Sequence, residues 1–243
     1  MAADASSLID WSLLAFSAPG WGGVLLAGFV NSIQIAIGGY SLGLLLGVGG
    51  AFGKLYGGPI TRDLLEIYTT LVRAVPELVL ILLLYYAGTD GVNQVLALAG
   101  YPPIDISGLA AGIFVIGVVQ GAYSTEVLRG AIKAVPSGQM EAARAYGMAP
   151  VQMLRRITLP AMLPYAIPGL ANLWLIATKD TALLAVVGFS ELTLVTRQAA
   201  GTTKHYMLFF VAAGVLYLLL TLVSNGLIAL IERRARRGFP EVA

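Results

Sequence analysis

Apolar positions along the chain gather into five blocks, Gly22 to Phe52, Leu64 to Ala87, Gly108 to Leu128, Pro164 to Gly188 and Met207 to Ile231, separated by shorter polar stretches. Each block reaches the roughly twenty residues of helix needed to cross a hydrocarbon core about 30 Å thick. None alternates apolar and polar residues in units of about ten, as barrel strands do, so the pattern predicts helices. The expected fold is all-α, a polytopic membrane protein with five transmembrane helices. Residues 1–20 read as a short external lead, 21–237 as the membrane domain and 238–243 as a cytoplasmic tail. Trp11, Phe16 and Trp21 in the lead suit the membrane interface, where aromatic rings anchor.

Composition agrees with this reading. Hydrophobic residues make up 58% and charged residues 12% of 243 positions, against about 45–50% and about 25% in soluble proteins. A water-soluble globule is excluded. No Lys or Arg precedes Lys54, so the basic start of a cleavable signal is missing and the first block is expected to remain as a helix. With no cysteine there is neither a disulfide nor a thiolate metal site.

The fifteen Lys and Arg residues set the expected orientation, because positive charge is retained on the cytoplasmic side during insertion. Eleven fall in three segments on one side: Lys54 and Arg62; Arg129, Lys133, Arg144, Arg155 and Arg156; and Arg233, Arg234, Arg236 and Arg237. The other side holds Asp4 and Asp10, a loop with Asp90 and Asp105, and a last loop with Arg197 and Lys204. The N-terminus is thus expected outside and the C-terminus in the cytoplasm. This bias accounts for the basic residues without a nucleic-acid partner.

Within the first block, Gly39, Gly43 and Gly47 recur every fourth residue and put small residues on one helix face, where another backbone can approach. The glycines around Lys54 do not form a phosphate-binding loop. Val48 stands where that motif needs a glycine, and Leu55 where it needs Ser or Thr. The chain itself is not expected to bind ATP. The outer loop from Gly88 to Ser107, with Tyr101, Pro102 and Pro103, is a candidate docking surface.

The longest segment outside the spans, Arg129 to Leu163, contains QMEAARAYGMAPVQMLRRITLPAMLP from Gln139 to Pro164. It predicts two short helices broken between Gly147 and Pro150, since Gly tolerates a left-handed turn and Pro opens a helix well. From pattern alone this is either an amphipathic connector or a docking element.

Glu141, Ala142, Ala143, Gly147, Ile157, Leu159 and Pro160 stand at the spacing of the EAA loop, and the segment 139–160 resembles that loop of permease subunits of bacterial ABC importers. The flanking runs AYSTEVLRGAIKAVPSGQ (122–139), YTTLVRAVPELVLILLLYYAG (68–88) and KDTALLAVVGFSEL (179–192) look like the polar amino acid branch of the family. They are most similar to Q-type subunits of systems for histidine, lysine, arginine, ornithine and opines. Ala74 departs from the Gly that many relatives carry. The resemblance implies a type I importer transmembrane domain in the bacterial inner membrane, with no catalysis and no cofactor of its own. It implies a second permease subunit, a paralogue in preference to an identical copy. It also implies two separate ATPase subunits and an external solute-binding protein. The stretch from Glu141 through Ala142, Ala143 and Gly147 to Pro150 would receive the closing motion of the ATPase.

Four ionisable residues fall inside the expected spans: Arg73 and Glu77 on the second, Lys179 and Asp180 on the fourth. A charge at a helix centre costs about 2.5–3.5 kcal/mol to insert, so each needs a cavity or partner. On a continuous helix Arg73 and Glu77, four apart, share a face; they form either a packing pair or part of a path for a substrate bearing both a carboxylate and an ammonium. Adjacent Lys179 and Asp180 point to different sides. Glu126 and Arg129, three apart, read as a structural pair, and His205 stands without a metal-binding cluster. The other class of reading is an ion-coupled secondary transporter, which needs internal repeats with broken helices; none is visible. HExxH and GxSxG are absent, against a membrane enzyme.

Overall fold

The structure, a computed structural model, describes residues 10–104 and 106–235. Asp4, Asp105, Arg236, Arg237 and the tail at 238–243 lie outside the described residues. Among those described the fold is all-helical. Five helices are long and apolar enough to cross a membrane: Gly22–Tyr56, Glu77–Leu98, Gly108–Lys133, Pro150–Val187 and Tyr206–Ala235. We label Gly22–Tyr56 α1, Pro59–Ala74 α2, Glu77–Leu98 α3, Gly108–Lys133 α4 and Ser137–Ala145 α5. Pro150–Met153 is α6, Leu159–Asp180 α7, Leu192–Thr203 α8 and Tyr206–Ala235 α9.

The second apolar block is not one helix. It breaks at Val75 and Pro76, which are extended or nearly so, leaving α2 before the break and the true span α3 after it. Pro76 supplies no backbone N–H and drives the residue before it out of the helical region. The span therefore continues to Leu98, and the loop expected from Gly88 begins only after it. Helix α2 is amphipathic. Ile60, Leu64, Ile67 and Leu71 form an exposed apolar stripe, Thr69 and Val72 turn inward, and Arg62, Asp63 and Glu66 lie on the remaining side. The fourth span also differs: it starts at Pro150 rather than Pro164, because α6, a π-helical turn at Leu154–Thr158 and α7 join without interruption.

The core is organised by the pairing of α1 with α4, which run parallel. Small residues on α1 face side chains spaced four apart on α4: Gly39 meets Ile116, Gly43 meets Gln120 and Gly47 meets Ser124. A β-carbon on Gly43 would stand 2.6 Å from that of Gln120 and 3.1 Å from its carbonyl carbon, so the backbones approach as closely as they do only without it. Around this seam, Ile35, Ile81, Val115, Ile116, Ala177, Leu184 and Phe189 form one apolar cluster, and Leu25, Leu192, Val195 and Phe209 form a second. Trp21 packs against the second, while Trp11 and Phe16 are exposed.

Candidate functional site

Two of the four in-span charges come together. Glu77 opens α3 immediately after the break, at the positive end of the helix, where a carboxylate is favoured. Asp180 closes α7, and Thr181 begins a 3-10 segment running to Val187. Both acids therefore stand where a helix changes course. They meet at α4: the Tyr123 hydroxyl donates to Glu77 Oε1 at 3.4 Å, and Gln120 Nε2 donates to Asp180 Oδ2 at 3.4 Å. Tyr123 lies within electrostatic reach of Glu77, Arg73 and Asp180 together. Gln120 is fully buried, and its Oε1 has no hydrogen-bond partner, nor has the neighbouring Ser124 Oγ.

Arg73 does not pair with Glu77. The break puts the two on separate helices, so the i,i+4 geometry is lost, and Arg73 instead approaches Glu126 Oε2 at 3.9 Å. Lys179 is exposed while Asp180 is partly buried, so the adjacent pair diverges as its spacing implies. Glu126 and Arg129 do pair, with Arg129 Nε at 3.1 Å and Nη2 at 2.5 Å from Glu126 Oε2. The pair belongs to a larger group that the sequence did not disclose. Lys54, buried at the end of α1, reaches Glu126 Oε1 at 2.6 Å, Glu66 Oε2 at 2.5 Å and Thr69 Oγ1 at 2.7 Å.

A second unforeseen residue is Glu191. It is wholly buried between the fourth and fifth spans and caps α8. Its carboxylate accepts from Thr193 N and Leu194 N at 2.8 Å each, with the Ser32 and Tyr217 hydroxyls at 3.2 Å. Burial pushes the carboxyl pKa up, and these hydrogen bonds oppose that shift. The network ties α8 to α1 and α9. Sequence offered no clear signal for this cap, since Glu is not among the residues that usually cap a helix N-terminus.

The segment from Gln139 to Pro160 forms a helix, a turn and a helix, but only the first helix is short. Gly147, at φ +70°, makes the left-handed turn after α5, and Met148 N returns to Ala143 O at 3.1 Å. Glu141, Ala142, Gly147 and Pro150 are exposed, whereas Ala143 is buried. Ala143 therefore packs the turn against its own protein. Ile157 and Leu159 belong to the helical stretch beyond Pro150, which leads without a non-helical residue to Asp180.

Comparison with known proteins is specific. Residues 43–237 match the family named binding-protein-dependent transport system inner membrane component. The chain is 42% identical over 219 residues to the histidine/lysine/arginine/ornithine transport system permease protein HisQ of Salmonella typhimurium, covering 90% of this chain and 96% of that one. It is 37% identical over 232 residues to the octopine transport system permease protein OccQ of Rhizobium radiobacter, covering 95% and 98%. A chain from the crystal structure of an amino acid ABC transporter with histidines superposes with a TM-score of 0.75 at 25% identity, covering 96% of this chain and all of that one. The fold is that of a type I ABC transporter permease, and the chain is a multi-pass protein of the bacterial inner membrane.

Proposed function

The chain belongs to the family of inner-membrane components of binding-protein-dependent transport systems, and from that premise we propose that it forms half of the path of an ATP-driven importer for basic amino acids or opines. ATP is hydrolysed on separate ATPase subunits, an external binding protein delivers the solute, and a second permease, a paralogue of this one, completes the path. The N-terminus lies outside and the C-terminus in the cytoplasm, a reading supported by the basic residues at the ends of α1, α4 and α9.

The observation that carries the proposal is the continuity between the exposed turn at Glu141–Pro150 and Asp180. The helix leaving the turn at Pro150 ends at Asp180, roughly 45 Å away at about 1.5 Å per residue. A displacement of the turn by a closing ATPase is transmitted along this helix to the acid. Glu77 and Asp180 supply negative charge for a cationic side chain entering from water. The positive end of α3 and the nearby Arg73 suit the substrate carboxylate. Lys179, on the other side of its helix, is assigned to the path rim facing the second permease.

Reconstitution with the co-encoded subunits in proteoliposomes tests the class. Uptake that persists when ion gradients are collapsed and stops when ATP is withdrawn is the expected result. The reverse pattern establishes the ion-coupled secondary transporter instead.

A further inference from the structure

Where α1 and α4 finish, a cavity of about 300 Å³ opens between α1, α2 and α4, lined by Lys54, Leu55, Arg62, Glu66, Arg129 and Lys133. Four of its six lining residues are cations. Two carboxylates answer them: Glu66 binds Lys54, and Glu126 binds Lys54 and Arg129. Arg62 and Lys133 are exposed, and among the described residues no carboxylate lies within ion-pair distance of either. The cavity thus retains two unmatched positive charges, and its buried wall is held in place by the Lys54 group.

Its position narrows the ligand. The cavity sits at the ends of two membrane spans, with Leu55 in its wall and the ring pair Phe52 and Tyr56 on the same last turns of α1. The exposed turn at Glu141–Pro150 belongs to a separate segment that contributes nothing to it. Cations at this depth, beside apolar side chains, match an anion carried by an apolar tail, since Arg and Lys hold a phosphodiester through charge-assisted hydrogen bonds. We propose that this cavity binds the headgroup phosphate of an anionic phospholipid, with Arg62 and Lys133 as the two ligating cations. The inference rests on the membrane reading of the chain and places the lipid in the inner leaflet under the orientation proposed above.

The test uses the complete, delipidated transporter in detergent, titrated with phosphatidylglycerol and with phosphatidylcholine of identical acyl chains, bound lipid being counted by native mass spectrometry. Wild type is expected to prefer phosphatidylglycerol. In Arg62→Gln/Lys133→Gln the preference is expected to fall about twenty-five-fold, each basic residue near a membrane contributing about fivefold. The charge-conserving Arg62→Lys/Lys133→Arg keeps it and shows that loss does not follow from misfolding. Arg155→Gln/Arg156→Gln, outside the cavity, also keeps it. An unchanged preference in the double Gln variant overturns the site. Displacement of the lipid by millimolar inorganic phosphate overturns the lipid assignment in favour of a free anion. Binding in detergent is blind to which membrane side the cavity faces, so its failure is distinguishable from failure of the topology or of the import function.

Discussion

Lys54 Nζ lies 2.6 Å from Glu126 Oε1 and, through Glu66 and Thr69, ties the end of α1 to both α2 and α4. A buried ammonium is tolerated only with such partners. Removing it in Lys54→Met leaves Glu126 with Arg129 and the more distant Arg73, and Glu66 largely in water, so the expected loss is about 1–3 kcal/mol. The thermal midpoint of the solubilised transporter should fall, and Lys54→Met/Glu126→Gln should recover part of the loss. An unchanged midpoint in the single variant contradicts the role of this group.

The α1 and α4 seam makes a separate prediction about assembly. Gly43→Val drives a side chain into Gln120, and overpacking of this kind costs about 1–3 kcal/mol. Gly49, with nothing within 4 Å of its β-carbon position, should accept alanine without effect. Membrane levels of the two variants, measured by immunoblot, should differ; equal levels contradict the close approach at Gly43.

At the exposed turn, Glu141→Lys reverses a charge on the surface assigned to the ATPase, while Gly147→Asp places a β-carbon where φ is +70°. Asp tolerates the left-handed conformation better than most L-residues, so the substitution acts by some backbone strain together with a new negative charge on the turn, and the spans are spared. Both variants should insert normally yet hydrolyse ATP without matching uptake. Tight coupling in both removes the turn from the transmission path.

A reporter fused after Pro240 should read cytoplasmic, and one inserted near Tyr101, in the loop that follows α3, should read external. Opposite labelling inverts the orientation and moves Lys54, Arg62 and Lys133 to the outer face.

The features read correctly from sequence are those encoded by local periodicity. Five apolar blocks announced five spans, the four-residue spacing of Gly39, Gly43 and Gly47 announced their close seam with another helix, and Gly147 announced its turn. What escaped depends on encounters distant in sequence. Gln120 and Asp180 are sixty positions apart, and nothing in either neighbourhood indicates the other. Lys54 looked like one more positive charge at a span end until its burial against Glu126 was seen. The split at Pro76 was hidden because apolar residues continue on both sides. A hydropathy pattern does not distinguish a helix broken by proline from one that bends around it, and that break separates Arg73 from Glu77.

The central claim is that the acids at the two helix breaks recognise the cationic end of the substrate. Glu77→Gln keeps the size of the side chain and a hydrogen-bond acceptor for Tyr123 but removes the charge. Loss of a charge-assisted contact of about 1.5–3 kcal/mol lowers apparent affinity about ten- to a hundredfold. The measurement is uptake of a cationic and a neutral amino acid by the complete transporter in proteoliposomes, with the external binding protein saturated so that its own selectivity drops out. The cationic solute should slow by this factor in Glu77→Gln, and similarly in Asp180→Asn, while the neutral solute is nearly unaffected. If both solutes slow equally, or neither does, these carboxylates serve packing alone and the charge-recognition account is wrong.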